Sequence, residues 1–217
     1  MKNIILTITT LFITNLSLAN VEMSRSIASI KQDIRVSHAR ELLGNRYKKS
    51  IVSSFEKRSG LEKNIFDIVH AHLPKKYKHR AGSVASAIIK EATKHSMDPY
   101  FIMAVISGES SFNPGIIGPV GEIGLMQIRG STGEWMAKKM NMKWFGEKSL
   151  QDPVINIKIG TAYIAWLREK FDNQSQLYLA AYNMGAKSVR NAVGRNIWPK
   201  DYPKHVMKRY LAFYKSI

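Results

Sequence analysis

Asp98-Pro99-Tyr100-Phe101-Ile102-Met103-Ala104-Val105-Ile106-Ser107-Gly108-Glu109-Ser110-Ser111-Phe112-Asn113-Pro114-Gly115 is the stretch on which the reading turns. Asp98 followed by Pro99 is an N-cap and a first helical position. The apolar run after it predicts a helix that stops before Asn113-Pro114-Gly115. Phe101, Val105, Glu109 and Phe112 then share one face. Three of these are large and apolar, so Glu109 is an acid on the stripe that should be buried. Burial disfavours its charged form, and the negative end of the helix dipole acts the same way. A carboxyl that holds its proton near neutral pH suits a general acid for glycosidic cleavage. Spacing alone leaves a second reading open, in which Glu109 snorkels out at the stripe edge or pairs with a lysine.

The neighbouring segments are also helical. Ser83 to Lys94 is short and amphipathic. Ser131-Thr132-Gly133-Glu134 fits a capping box opening a further helix. Asp152-Pro153 repeats the cap-and-proline device ahead of a long helix to about Lys170. Gln176 to Tyr182 and Lys204 to Tyr214 supply two more. No segment sustains strand alternation, so the fold class is all-α.

Length and composition bound the rest. The chain has 217 residues, 45% hydrophobic and 23% charged, enough for a packed core and too apolar for a disordered chain. It has no cysteine, which excludes disulfide scaffolds, cysteine metal sites, thiol catalysis and an acylated lipoprotein cysteine. The net charge of +17 calls for an anionic partner. Lys2, the apolar run from Ile4 to Phe12, and Ser17 and Ala19 ahead of residue 20 form a signal-peptide pattern over residues 1–19. An uncleaved anchor is the other reading, although the run is short for a membrane span. Export makes nucleic acid a poor partner and points to the cell envelope.

Residues 20–80 carry 14 Lys+Arg against 6 Asp+Glu, denser in charge than residues 81–217. Ile27, Ile30 and Ile34 repeat at helical spacing, and Ile65, Ile68 and Leu73 do so more loosely. This extension reads either as a helical appendage with a solvated basic face or as a docking arm. The arm's target would be the wall, or an envelope or secretion-machine partner.

After Gly115 comes a glycine- and proline-rich loop, then Gly124-Leu125-Met126-Gln127-Ile128, and later Ala181-Tyr182-Asn183-Met184-Gly185. Gly124 permits close approach of another chain. Gln127 offers a donor and an acceptor to a sugar. Tyr182 could stack on a sugar and bring its hydroxyl near the acid, although a tyrosine at this spacing is as readily core. With Glu109-Ser110-Ser111-Phe112-Asn113-Pro114, and with Asn156-Ile157, Gly160 and Tyr163 between, these segments resemble the soluble lytic transglycosylase family over about residues 81–214. The resemblance implies a lysozyme-like helical domain at 81–217 that cuts the MurNAc–GlcNAc bond of peptidoglycan strands and leaves a 1,6-anhydro sugar. It implies Glu109 as the catalytic acid, with Ser110, Gly124, Met126, Gln127, Tyr182 and Asn183 at the substrate.

Gly118, Glu122, Arg129-Gly130, Gly133, Asp201 and His205 depart from the usual pattern. Glu122 is the one loop acid near enough in sequence to act as a second carboxylate, its other reading being a loop salt bridge. The histidines lack metal-ligand spacing, and no phosphate loop is present, so no metal or cofactor is expected.

Overall fold

The computed structural model describes residues 31–217, which places the leader pattern at 1–19 and the Ile27 and Ile30 positions outside the described residues. The described chain is a set of helices: α1 Gln32–Leu43, α2 Ile51–Ser54, α3 Leu61–His72, α4 Ala81–Lys94 and α5 Pro99–Ser110, then α6 Gly130–Lys139, α7 Pro153–Lys170, α8 Ser175–Met184, α9 Ala186–Gly194 and α10 Asp201–Lys215. Among the described residues, extended pairing is limited to isolated bridges at Ile117, Ile123 and Ile128.

Helix α5 is the axis of the core. Every residue from Pro99 to Ile106 is buried, the mark of a helix enclosed on all sides rather than laid on a surface. It packs against α4 and α10, while α4 also packs on α3 and α7, and α8 joins α7 to α10. Asp98 caps α5 as its sequence predicts, accepting from the Tyr100 N–H at 2.9 Å. Asp152 does the same for α7, accepting from Val154 and Ile155 at 2.9 and 3.0 Å.

Two expectations are corrected, and one helix was not foreseen. Helix α5 ends at Ser110, because Ser111 and Phe112 take left-handed φ values of 50° and 63°. Phe112 therefore reaches the core by a turn of the chain and not along the helical stripe. Helix α6 starts at Gly130 behind Arg129, with no side-chain cap, so Ser131 to Glu134 lie inside the helix and form no capping box at its start. Helix α9 carries no apolar run long enough to announce itself and buries only Val189.

The extension is more than a solvated appendage. On α1 the buried side is Arg35, Val36, His38, Ala39, Leu42 and Leu43, whereas Ile34 is only half-buried. Arg35 donates to the Tyr214 hydroxyl at 3.1 Å and to the backbone carbonyl of Glu56 at 3.0 Å. His38 lies edge-on to Phe101, with ring centroids 4.9 Å apart. Glu41 receives Arg168 Nε from α7 at 2.9 and 3.0 Å. The helical, basic extension thus adds side chains to the same core as α5 and α10.

Candidate active site

The enclosure of α5 fails in its last turn. Ser107 and Glu109 are half-buried, and here the helix meets a cleft of about 450 Å³. The Tyr202 hydroxyl, from the first turn of α10, donates to Glu109 Oε1. Burial pushes the Glu109 carboxyl above its usual range. The Tyr202 hydrogen bond opposes that, the negative charge of Glu122 adds to it, and Arg209 opposes it. Tyr202 keeps its own proton, since burial and the nearby Glu109 raise its pKa well above the ordinary phenol value. The result is a carboxyl held in one place and biased towards its protonated form.

The loop after Glu109 forms the facing wall, and buried polar groups shape it. The Ser110 hydroxyl donates to the Leu125 carbonyl at 2.8 Å, tying the end of α5 to the loop. The Asn156 side chain from α7 accepts from Met126 N–H at 2.8 Å and donates to the carbonyls of Ile123 and Leu150 at 2.8 and 2.9 Å. Gly124 has φ +78°, and a Cβ there would lie 2.6 Å from Asn156 Nδ2 and 2.8 Å from the Leu150 carbonyl oxygen. Only glycine fits that approach.

The six expected substrate residues divide in two. Gln127, Tyr182 and Asn183 line the cleft with Glu109. Ser110 and Met126 are buried behind it, and Gly124 is packed against Asn156. The Ser110 hydroxyl is committed to the Leu125 carbonyl, the Met126 sulfur lies 3.9 Å from the Thr161 hydroxyl, and Gly124 lets the loop close on Asn156, so these three build the wall. The Tyr182 hydroxyl also goes elsewhere than expected, donating to the Met126 carbonyl at 2.6 Å. The group on Glu109 is Tyr202, which the sequence reading did not single out. Its signal was Pro203, a residue tolerated in the first helical turn, which marks the start of α10 and sets Tyr202 there.

Glu122 lines the same cleft but is occupied. Arg129 approaches its Oε1 at 3.2 Å, and Val120 N–H reaches Oε2 at 3.2 Å. Desolvation is outweighed by backbone N–H groups and Arg129, so its carboxyl sits below the usual range and stays ionised. Gly118 belongs to this arrangement, since a Cβ there would lie 2.6 Å from Glu122 Oε2. The departures at 118, 122 and 129 are therefore one coupled feature.

The transglycosylase SLT domain model matches residues 86–204, from α4 into α10 and across the whole cleft. The chain belongs to the transglycosylase SLT family. Within that family it is 36% identical over 97 residues to the soluble lytic murein transglycosylase of Escherichia coli K12, covering 44% of this chain and 15% of that one. It is 30% identical over 172 residues to the membrane-bound lytic murein transglycosylase C of Serratia proteamaculans, covering 75% and 46%. The chain thus spans less than half the length of these curated relatives. Among solved structures it is similar to the 70-kDa soluble lytic transglycosylase of Escherichia coli, with a TM-score of 0.55 at 24% identity over 83% of this chain and 32% of that one. Lytic transglycosylase Slt of Pseudomonas aeruginosa gives 0.55 at 19% over 87% and 38%. These two likenesses establish the lysozyme-like helical fold of the SLT family.

Proposed function

We propose that the chain is a peptidoglycan lytic transglycosylase that cuts the MurNAc–GlcNAc bond with Glu109 as its single acid and base. The observation that carries this reading is the unequal state of the two cleft carboxyls. Glu109 is biased towards its protonated form, whereas Glu122 is ionised and engaged by Arg129. A site with one free carboxyl suits a substrate-assisted route rather than the two-carboxylate scheme of ordinary glycosidases.

Glu109 donates its proton to the glycosidic oxygen as the C–O bond breaks. The neighbouring N-acetyl oxygen stabilises the positive anomeric carbon. The Glu109 carboxylate then takes the proton from the sugar's own O6 hydroxyl as O6 bonds to that carbon, closing the 1,6-anhydro ring and restoring the acid. Tyr202 holds the carboxyl through both proton transfers. Gln127 and Asn183 offer polar groups to the sugar, and Tyr182 fixes the wall through Met126.

The leader pattern at 1–19 supports export to the periplasm or cell envelope. We read 81–217 as the catalytic unit, supported by the family match, with 20–80 as an extension whose described helices brace it. Exposed cations on that extension, such as Arg46, Lys48 and Lys49, suit an anionic wall or an envelope partner.

Mass spectrometry of fragments released from purified sacculi tests the function. Products one water lighter than hydrolysis products are expected. Ordinary reducing ends would make the chain a muramidase with Glu122 or a positioned water as second player, and absence of release would make it a peptidoglycan binder.

A further inference from the structure

Three departures from the family pattern meet at one corner of the cleft. Gly118 leaves room for the Glu122 carboxylate, Glu122 pairs with Arg129, and both charged residues line the cleft with Glu109. Residues that depart from the common pattern are not what the common reaction depends on. An exposed ion pair also adds little to stability, and a neutral sugar calls for neither charge. What the pair offers is a fixed charge for a charged part of the substrate.

The geometry decides which of the two charges is on offer. Glu122 Oε1 lies 3.2 Å from Arg129 Nε and 3.2 Å from Nη2, while Oε2 receives the Val120 N–H at 3.2 Å. The Glu122 side chain is 18% exposed, so its carboxylate is turned into the loop and already engaged, whereas the Arg129 side chain is 61% exposed. A guanidinium carries its N–H donors in a planar fork that can grip a carboxylate along more than one edge. Glu122 takes the Nε–Nη2 edge. Among the described residues nothing pairs with the Nη1 end, and the grip of Glu122 holds that end in place. Burial raises the pKa of Tyr163 on α7 and the Arg129 charge opposes the rise, so the guanidinium is felt at the α7 wall of the same cleft.

We propose that Arg129, held by Glu122, binds a carboxylate of the stem peptide carried by MurNAc, so that the enzyme favours strands with free stem carboxylates over bare strands. The inference rests on the glycan reading above. MurNAc bears its peptide on a lactyl ether of the same ring whose bond Glu109 would cut, so the stem starts in the cleft that Arg129 lines. A planar carboxylate meets the free edge of the guanidinium with two parallel hydrogen bonds. A hydroxyl or a neutral amide leaves the charge unmatched. Arg129 is assigned a binding role, and no bond change passes through it.

The test compares kcat/KM on three substrates: strands bearing stems, the same strands with the stem carboxylates chemically amidated, and peptide-free strands. The wild-type protein is expected to favour free carboxylates over amidated ones about tenfold, the scale of one charge-assisted contact. Arg129→Ala should bring that ratio close to one, and Arg129→Lys should leave it in between. A ratio needs no correction for the folded fraction of a variant. Equal rates of the wild-type protein on all three substrates overturn the proposal. So does a preference that survives Arg129→Ala, because it then belongs to the general positive charge of the surface. A second measurement needs no turnover. By calorimetry, the Glu109→Gln protein should bind stem-bearing strands more tightly than amidated ones, and the Glu109→Gln, Arg129→Ala double variant should lose the difference. If sacculi release nothing with the wild-type protein while this difference persists, stem recognition stands and the transglycosylase reading falls.

Discussion

Helix α5 carries a carboxyl at each end, one buried and one half-buried, and the two stand in opposite surroundings. At the N-terminus Asp98 is fully enclosed. It accepts from the Tyr210 and Tyr214 hydroxyls, each at 2.7 Å, and from the Tyr100 N–H, while its own N–H donates to His38 Nδ1 at 3.1 Å. At the C-terminus Glu109 has the Tyr202 hydroxyl on one oxygen and the cleft beyond it. Burial raises the pKa of both. Burial therefore does not separate a structural acid from a reactive one. What separates them is whether the surrounding groups close the site: Asp98 is surrounded by protein groups, whereas Glu109 faces the cleft, as the proposed acid role requires.

The sharpest way to break this contrast is Glu109→Gln, which keeps the shape and removes the exchangeable proton. Turnover of sacculi should fall by about 10²–10⁴-fold or more, the scale of a positioned acid–base group, with wall binding retained. Activity within a few-fold of wild type would take the acid role from Glu109.

At the other end, Asp98→Ala should act on stability. It leaves two buried tyrosine hydroxyls without their acceptor and removes the negative charge that favours the buried Arg35. A loss of about 3–5 kcal/mol is expected in chemical unfolding, the range for breaking a buried charged network. The rate per folded molecule should change far less than in Glu109→Gln, and a large rate loss with intact stability would erase the contrast.

Tyr202→Phe probes the one donor that Glu109 does have. About 1–3 kcal/mol of transition-state stabilisation should be lost. Because that hydrogen bond lowers the Glu109 pKa, removing it should move the alkaline limb of the kcat/KM profile to higher pH. An unmoved limb would mean that Tyr202 only fills space. Tyr182→Phe should be milder, about 0.5–1.5 kcal/mol of stability through the lost bond to the Met126 carbonyl, read from melting curves.

The smallest effect concerns the stability of Glu109→Gln itself. A carboxyl whose folded pKa is raised binds its proton more tightly in the folded state. Its contribution to stability is therefore full below the unfolded value of about 4.3 and is lost as pH rises through the folded value. The variant should melt slightly above wild type at neutral pH, and the gain should vanish on acidification. A gain that persisted at low pH would place its origin in packing.

Much of this was legible in the sequence where a local rule and the tertiary fold agree. Asp98-Pro99 and Asp152-Pro153 are backbone caps set by adjacent residues, and both helices begin where those pairs predict. Glu109 stood out because an acid interrupts an apolar helix. The rest depended on long-range contacts. Phe112 continues the helical spacing, yet the chain leaves the helix first. Nothing in the sequence marks Arg35 and His38 for burial, which rests on Tyr214 and the Phe55 and Glu56 carbonyls for Arg35 and on the Asp98 N–H and Tyr178 for His38. Ser110 and Met126 sit in a functional motif but serve the wall, a distinction of side-chain direction that spacing does not carry. Gly118 and Glu122 read as separate departures until their shared space was visible.

The bond from Arg35 to Tyr214 joins residues 179 positions apart, the first described helix to the last. It gives the protein an order of assembly. Arg35 cannot reach its Tyr214 partner until α10 is present, and Asp98 likewise waits for the Tyr210 and Tyr214 hydroxyls, although its bond from the Tyr100 N–H is local. Contacts so distant along the chain form late, after the loops between them have closed. Until α10 has formed, the carboxyl at the head of the central helix keeps its local cap but lacks both of its tyrosine hydroxyls.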